Sequence, residues 1–402
     1  MASVDRAARV DGSTTRSPPV LVSTPLVPLL AVSVLLSALL TYLIVRFPKW
    51  HLALTGDATG GVQKFHVGSI PRIGGLPIAG AFLAAIGYLA LLRDHPAGPA
   101  LTGALITSAP VFLIGLIEDL TKRVEPLTRL VAMSASAFTA AALYGVRLTH
   151  LDLPFADAAL GVPALSIAFT AFAVVGVANA FNIIDGYNGL VGMISAMVLT
   201  ALATVALAVG DTDIMLASLA LAGAIFGFLV WNYPGGRIFA GDGGAYFIGF
   251  VIAILAVLLA ERHADVSPWF PLALVIYPVW ETLFTIYRRK VLRGHAAMRP
   301  DALHLHTLIY RRLCRLEGHA GDPGARIRRN SLTSPYLWLL TLPFMMLATA
   351  FWHSTLALQC VIGGFILVYL GLYWSIVRFR APQWLVLSYW AARRRARAAR
   401  AG

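Results

Sequence analysis

The sequence is poor in charge and in cysteine, and both shortages restrict the class of protein. Only 13% of the 402 residues are Asp, Glu, Lys or Arg, whereas 58% are hydrophobic. A water-soluble enzyme of this length needs a much more polar surface, so that class is excluded. The two cysteines, Cys314 in a polar loop and Cys360 in an apolar run, stand in no metal-ligand spacing. The sequence therefore predicts neither a disulfide nor a zinc site.

Apolar runs of about 20 residues follow one another along the chain, and each can cross the roughly 30 Å hydrocarbon layer of a membrane. We predict an all-α polytopic integral membrane protein with about eleven transmembrane helices. The first run continues directly into "RFPKW" without a small-residue cleavage site, so we expect it to be retained as a span. The predicted spans are 22–45, 73–92, 99–117, 127–145, 163–181, 190–209, 213–231, 244–260, 267–287, 335–353 and 356–377.

The Lys and Arg residues are concentrated on one side of these spans, which contains 26 of the 32. The positive-inside rule places that side in the cytoplasm, so we predict an N-terminus outside and a C-terminus inside. The net charge of +13 could also indicate a nucleic-acid partner. We favour membrane lipids and no nucleic acid, because anionic head groups supply the counter-charge. The segments on the basic side are 46–72, 118–129, 182–189, 232–243, 288–334 and 378–402.

The chain divides into three predicted parts. Residues 1–18 are polar and are expected to be disordered. Residues 19–377 form a single transmembrane domain with a large cytoplasmic loop at 288–334. In the tail, 378–402, aromatic and apolar residues precede five arginines, which is typical of an amphipathic helix on an anionic leaflet. A solvated, disordered tail is an equal alternative.

Six acidic residues lie at or near span ends on the predicted cytoplasmic side. Carboxylates at a membrane edge are costly unless paired, hydrated or metal-bound, so a set on one face indicates a single polar site. Magnesium prefers such oxygen ligands, and it usually binds one or two protein carboxylates together with substrate phosphate oxygens. We therefore predict a magnesium site with a phosphate-bearing substrate. The acidic residues are Glu118, Asp119, Asp185, Asp242, Glu281 and Asp301.

Amides accompany these acids in "NAFNIIDGYNG", which runs from Asn179 to Gly189. Asn179, Asn182 and Asp185 are spaced three apart, which places them on one helical stripe. Glycines here and around Asp242 allow backbone N–H groups to approach an anion. Because "DG" and "NG" are also ordinary turn signals, each motif alone does not distinguish a phosphate site from a turn.

Cations and histidines follow the ninth predicted span in "RRKVLRGHAAMRPDALHLHTLIYRR" (288–312). Arginines can clamp a diphosphate through forked hydrogen bonds. His304 and His306 share one face in an extended loop but not in a helix. A positive-inside loop with two solvated histidines is an equal alternative for this segment alone.

Together these motifs resemble those of the polyprenyl-phosphate N-acetylhexosamine-1-phosphate transferases, bacterial membrane enzymes that begin lipid-linked glycan synthesis. The resemblance extends from about Lys64 to Arg312, with the motifs in order. They are "KFHVGSIPRIGG" (64–75), "GLIEDLTKRVEPLTRL" (115–130), "NAFNIIDGYNGL" (179–190), "GDGGAYFIGF" (241–250), "PVWETLFTIYRR" (278–289) and "RPDALHLH" (299–306).

The resemblance implies that a polyprenyl phosphate, expected to be undecaprenyl phosphate, attacks the β-phosphorus of a UDP-sugar. Polyprenyl-diphospho-sugar and UMP would form with Mg²⁺, or with Mn²⁺ in its place. It implies that Asn182 and Asp242 bind the metal. Glu118, Asp119 and Asp185 would be catalytic, and Asp119 would deprotonate or orient the lipid phosphate. The residues implied in substrate binding are Lys64, His66, Arg72, Asn179, Asn188, Arg299, Asp301, His304 and His306.

Two positions depart from the usual bacterial pattern, which has Asp where this chain has Glu118 and Asn188. Glu keeps the charge, whereas Asn188 cannot act as a base; relatives that use dolichol also carry Asn there. "PDALHLH" and the eleven predicted spans resemble the branch that initiates O-antigen or similar surface glycans more than the phospho-MurNAc-pentapeptide translocase. UDP-GlcNAc is the expected donor, and other UDP-HexNAc sugars are alternatives. A homodimer is expected only by analogy with the peptidoglycan branch of the family.

Two other functions are alternatives. A secondary transporter or flippase of a lipid-linked sugar would favour ionisable groups near the bilayer midplane and symmetric half-repeats, whereas the acids of this chain lie at one edge. A catalytically inactive scaffold is the other alternative, because of Glu118 and Asn188. We predict an enzyme of the bacterial inner membrane, with its active site facing the cytoplasm.

Overall fold

The computed structural model describes five ranges of the chain, and the statements below concern those residues. The ranges are 26–57, 69–92, 98–292, 303–314 and 322–386. Several predictions lie outside them: the disordered segment 1–18, the end of the basic tail after 386, Lys64, His66, Arg299 and Asp301.

The described residues are almost entirely helical. Runs rich in Leu, Ala, Val and Ile form the long helices, and Pro, Gly, Asn or Asp stands at most of their ends. In chain order the helices are α1 (Leu26–Arg46), α2 (Leu52–Thr55), α3 (Gly75–Leu92), α4 (Pro99–Thr121), α5 (Pro126–Leu143), α6 (Pro154–Leu160), α7 (Pro163–Ile184), α8 (Leu190–Val209), α9 (Thr212–Asn232), α10 (Gly241–Arg262), α11 (Phe270–Leu274), α12 (Ile276–Tyr287), α13 (Leu305–Arg312), α14 (Pro323–Ala350) and α15 (Thr355–Val377).

Nine helices in the described part of the chain are long and apolar enough to cross a membrane, as expected of a polytopic membrane protein. The ninth predicted span, 267–287, is instead two helices, α11 and α12, which are separated at Val275. Pro278 explains the break, because it has no N–H to donate to the carbonyl of Leu274. The total of eleven spans and the orientation of the termini stay predictions.

Helix α14 begins twelve residues before the predicted span 335–353, inside the segment predicted as a loop. The Asp322 carboxylate accepts hydrogen bonds from the N–H groups of Gly324 and Ala325, and Pro323 occupies the first turn. An aspartate cap followed by proline is a strong helix start. The helix therefore extends well into the polar segment.

Helix α10 lies at the centre of the bundle. It is apolar on all sides, and every residue from Gly241 to Ala260 is buried. The backbone of its first turn comes very close to two neighbouring helices: a Cβ atom on Gly115 of α4 would lie 2.6 Å from the Cα atom of Gly243. A Cβ atom on Gly75 of α3 would lie 2.5 Å from the nitrogen of Gly244. These glycines allow the helices to approach closely.

A short extended segment is bound beside the start of α10. Strands β1 (Gly56–Asp57) and β2 (Ile70–Pro71) pair in antiparallel fashion. The N–H of Phe239 donates to the carbonyl of Pro71 at 2.9 Å, and the N–H of Gly74 donates back to Phe239 at 2.9 Å. Arg72, one of the two residues between Pro71 and Gly74, is thereby held next to the first turn of α10.

Candidate active site

The first turn of α10 binds a carboxylate that belongs to the protein. Asp119, near the end of α4, is 1% exposed. Its two oxygens accept the N–H groups of Asp242, at 3.0 Å, and Gly243, at 2.9 Å. Gly241 has a φ of +74°, and a Cβ atom there would collide with the carbonyl oxygen of Arg72. The glycines predicted to approach an anion thus approach Asp119, at the end of the helix that favours negative charge.

The side chain of Asp242 is surrounded by donors from three other segments. Its Oδ1 accepts hydrogen bonds from Arg72 Nη2 at 3.0 Å and from Asn182 Nδ2 at 3.1 Å. Its Oδ2 pairs with Arg129 Nη1. Arg72 Nε also lies 3.6 Å from Asp119 Oδ1. The structure therefore brings together groups from α4, α5, α7, α10 and the segment before α3.

Asp185, directly after the end of α7, completes this cluster. The pKa of its carboxyl is raised to about 7, chiefly by burial. Arg72 and the backbone N–H of Gly241 act to lower this pKa, whereas the carboxylates of Asp119 and Asp242 act with burial to raise it. Three carboxylates thus share two guanidinium groups. Like charges held this close favour the binding of an additional cation.

The donor set fits a hard divalent cation. Asp242 and the amide oxygen of Asn182, with Asp185 beside them, are the ligand types that Mg²⁺ takes when substrate phosphates supply the rest. Both oxygens of Asp119 are already engaged with backbone N–H groups. Among the described residues, no three His, Cys, Asp or Glu side chains form a complete metal cage. A cation here would depend on the substrate for several ligands.

The two histidines form a second cluster and are buried, with exposures of 7% for His304 and 4% for His306, which argues against the solvated alternative. Their rings are stacked, with centroids 5.0 Å apart. Burial, together with the neighbouring His304, lowers the pKa of His306 to about 3, so His306 is neutral. The ring of Tyr187, two residues after Asp185, lies 5.3 Å from that of His306. Tyr187 therefore joins the histidine cluster to the carboxylate cluster.

Two other predicted residues bond locally instead. Glu118 Oε2 accepts the N–H of Val124 at 2.8 Å and so closes the turn after α4. Asn179 Nδ2 donates to the carbonyl of Val175 at 2.9 Å, one turn back in the same helix. Their assigned roles in catalysis and substrate binding stay predictions.

Asn188 is buried where three segments meet. Its Nδ2 donates to the carbonyl of Pro234 at 2.9 Å and to Ser331 Oγ at 3.2 Å. Its backbone N–H donates to Asn330 Oδ1 at 2.8 Å, and its carbonyl accepts from Ser334 Oγ at 2.6 Å. These contacts tie the loop after α7 to α14. A carboxylate could not make the two side-chain donations, so the departure from Asp has a structural reason.

Sequence reasoning missed Arg129, although it lies in a quoted motif. A cation in the first turn of a helix is opposed by the helix dipole, and Arg129 stands in the first turn of α5. An anionic partner was therefore to be expected. Which of the acids it pairs with required the three-dimensional arrangement.

Residues 101–260, from α4 to α10, match the model of glycosyl transferase family 4. The chain is similar to this family over those residues. The match includes Asp119, Arg129, Asn182, Asp185 and Asp242 of the carboxylate cluster. The predicted resemblance to the polyprenyl-phosphate N-acetylhexosamine-1-phosphate transferases is confirmed.

Curated proteins similar to this chain carry related names. A protein of Mycobacterium tuberculosis named decaprenyl-phosphate N-acetylglucosaminephosphotransferase is 28% identical over 368 residues, covering 84% of this chain and 86% of that protein. The "Probable undecaprenyl-phosphate N-acetylglucosaminyl 1-phosphate transferase" of Bacillus subtilis is 27% identical, covering 61% of this chain and 66% of its own length. The undecaprenyl-phosphate alpha-N-acetylglucosaminyl 1-phosphate transferase of Salmonella typhi is 28% identical, covering 62% of this chain and 67% of its own.

Proposed function

We propose that this protein transfers a HexNAc-1-phosphate from a UDP-sugar to undecaprenyl phosphate, releasing UMP. The observation that carries the proposal is the carboxylate cluster: Asp119, Asp185 and Asp242, far apart along the chain, meet with Arg72 and Arg129 at one end of the helix bundle. Paired acids and guanidiniums suit a reaction in which phosphate charges must be held and neutralised.

The proposed reaction exchanges one phosphate bond for another. An oxygen of the lipid phosphate attacks the β-phosphorus of the UDP-sugar, and a new P–O bond forms. The bond from the β-phosphorus to the bridging oxygen breaks, and UMP leaves with that electron pair. At neutral pH a phosphate monoester already carries about 1.5 to 2 negative charges, so the attacking group needs little deprotonation.

The residues of the cluster would divide the work of binding and orientation. Arg72 and Arg129 would bind phosphate oxygens, because guanidinium groups fit them bidentately. Asp119 would position the first turn of α10 through its two backbone hydrogen bonds, which supports an orienting role over proton abstraction. Mg²⁺, or Mn²⁺ in its place, would neutralise the diphosphate, held by Asp242 and Asn182 with Asp185 close by.

The donor and the setting are part of the same proposal. The names of the relatives support UDP-GlcNAc as the donor, with other UDP-HexNAc sugars tested beside it. We place the protein in the bacterial inner membrane with this end of the bundle in the cytoplasm, where a soluble nucleotide meets a membrane-bound phosphate. The product would initiate a lipid-linked cell-envelope glycan such as the O-antigen of lipopolysaccharide. A homodimer stays an expectation.

The test is a transfer assay with the full chain in detergent. Radiolabelled UDP-GlcNAc, undecaprenyl phosphate and Mg²⁺ should give labelled lipid and an equal amount of UMP, and chelation of the metal should stop both. A panel of UDP-HexNAc donors identifies the sugar. Nucleotide binding without transfer from any donor would contradict the proposal and indicate the scaffold function.

A further inference from the structure

We propose that Glu281 is a positioning residue for His304: it sets the tautomer and ring orientation of this histidine and thereby shapes the surface that binds the nucleotide-sugar. The inference rests on the proposed function, because that function gives the histidine cluster its substrate. Glu281 itself lies inside the protein and is not expected to touch the nucleotide-sugar.

Glu281, on α12, is fully buried, with 0% exposure. Its Oε1 lies 3.1 Å from His304 Nδ1 and accepts the N–H of Leu305 at 3.1 Å. Its Oε2 accepts the hydroxyl of Tyr369 at 2.9 Å. A buried carboxylate is costly unless donors surround it. Two of the three donors, His304 and Leu305, belong to the segment 303–305, here called the histidine segment. The carboxylate therefore mainly holds this segment in place.

The hydrogen bonds determine which ring nitrogen of His304 carries a proton. The N–H of Leu305 can only donate, so Oε1 of Glu281 acts as an acceptor. An ionised carboxylate can only accept hydrogen bonds, so with Glu281 ionised the proton between Oε1 and His304 is assigned to Nδ1. Thr285 Oγ1, 3.2 Å from the same nitrogen, then serves as a second acceptor. Nε2 is left as the nitrogen of His304 that can bind the substrate.

The hydrogen bonds of Glu281 also fix the position of Nε2 of His304. Leu305 begins α13, so its bond to Glu281 holds the start of that helix. Arg288 Nη1 donates to the carbonyl of Leu303 at 2.5 Å and to the Tyr373 hydroxyl at 2.5 Å. The segment 303–305 is thus held on both sides of His304. A small displacement of such a segment is enough to weaken a hydrogen bond to a ligand.

An unsatisfied atom points to a ligand at this surface. Nδ1 of His306, stacked on His304, is buried and has no hydrogen-bond partner within the described ranges. Buried polar atoms in folded proteins are nearly always satisfied by protein, water or ligand. In this proposal a polar group of the nucleotide-sugar forms the missing hydrogen bond with Nδ1 of His306.

A purely structural function for Glu281 makes a different prediction. If the carboxylate served only to tie α12 to α15, its bond to Tyr369 would matter most. Tyr369→Phe removes that bond and leaves both bonds to the histidine segment in place. It is therefore the matched control for variants of Glu281 and His304.

The experiment is a double-mutant cycle on the full chain in detergent, with equilibrium binding of UDP-GlcNAc as the readout and thermal unfolding as the folding control. Glu281→Gln removes the charged partner that positions His304, and His304→Ala removes the ring that is positioned. Each variant should therefore weaken UDP-GlcNAc binding about tenfold. The double variant should bind no more weakly than either single variant, because Glu281 acts through His304. Tyr369→Phe should stay within about twofold of the wild type.

Losses that multiply to about a hundredfold in the double variant would overturn the proposal, as would a Tyr369→Phe variant that binds as poorly as Glu281→Gln. If Glu281→Gln does not fold, Glu281→Asp replaces it, because it keeps the charge and withdraws the carboxylate from His304. If neither variant folds, Glu281 is structural and the proposal is wrong. Transfer by the wild type is measured in parallel: a cycle that holds without transfer rejects the proposed function alone.

Discussion

The two ends of the helix bundle both carry acidic residues, but the partners of those residues differ. At the end with the carboxylate cluster, Asp119, Asp185 and Asp242 surround two arginines, so that charges of each sign are shared. At the opposite end, Asp211 caps α9 by accepting the N–H of Ile214 at 3.0 Å. It also pairs with Arg262 and with His263, each at 3.1 Å.

Other acids at the opposite end likewise have local partners. Glu261 accepts the backbone N–H of Thr149 at 2.7 Å and its hydroxyl at 2.9 Å. Asp157 accepts the N–H of Leu151 at 2.6 Å. Each of these carboxylates holds a cap or a loop.

The presence of acidic residues at one end of the bundle is not enough to identify a site. Acidic residues on one face suggested a site, yet acids lie at both ends. What distinguishes the candidate site is that several carboxylates converge on the same two guanidinium groups, with the amide of Asn182 bonded to one of those carboxylates. Carboxylates that share too few cations indicate a binding site, whereas carboxylates with dedicated partners indicate a structural role.

The largest expected effect separates the two ends directly. Asp242→Asn should lower the rate of transfer by at least about a hundredfold, because it removes the charge that Arg72 and Arg129 contact and that would hold the proposed metal. UMP release at saturating UDP-GlcNAc measures the effect. Asp211→Asn is the matched control and should leave the rate within about twofold. If both variants lost the same fraction of the transfer rate, the carboxylates at the two ends of the bundle would not differ in function.

A smaller effect is expected for Arg129. Arg129→Gln should raise the KM for UDP-GlcNAc by roughly ten- to a hundredfold, the range expected for loss of a charged hydrogen bond to phosphate. Arg262→Gln, at the opposite end, should leave the KM unchanged. An Arg129 variant with wild-type KM would mean that this arginine only neutralises Asp242.

Substitution of Asn188 tests whether the end with the carboxylate cluster also contains a polar residue whose role is structural. Asn188→Asp should lower the free energy of unfolding by about 1–3 kcal/mol, because a carboxylate would face the Pro234 carbonyl without a donor. Thermal unfolding in detergent measures this loss. Ser331→Ala, which removes one partner, should cost less. A stable and fully active Asn188→Asp variant would show that the contacts rearrange.

The smallest effect concerns pH at the opposite end. Burial acts to raise the pKa of Asp211, but the donors Ile214, His263 and Arg262 outweigh it, so the pKa lies below its ordinary value. Stability from this group is therefore present above the unfolded pKa of about 3.9 and is lost as pH falls below it. The unfolding temperature of the wild type should fall more than that of Asp211→Asn between pH 5 and pH 3. Parallel curves would contradict this.

The fold was predictable where the physics is local. Apolar runs bounded by polar or glycine residues placed α7 to α10 within a few residues, because the thickness of the membrane sets the length of a span. The break at Val275 and the early start of α14 were missed, since a proline and an aspartate cap inside or before a run outweigh its average hydropathy.

The site was predictable in part. Asn182 and Asp242 could be named because a family resemblance assigned them, and the structure places them together. Burial and partners were not accessible from one sequence: Asn188 is a tie to α14, Glu118 closes a turn, and Arg129 pairs with Asp242. The contacts of Asn188 and Arg129 depend on which distant segments lie next to them, and neither composition nor periodicity indicates that.

The enclosure of α10 has a consequence for how the protein responds to its surroundings. The helix that carries Asp242 is wrapped by other helices along twenty residues from Gly241 to Ala260 and so has no boundary with lipid there. Changes in acyl-chain length or bilayer fluidity would therefore act on α10 through the surrounding helices and not by direct contact. The position of Asp242 should accordingly depend little on which lipids surround the bundle.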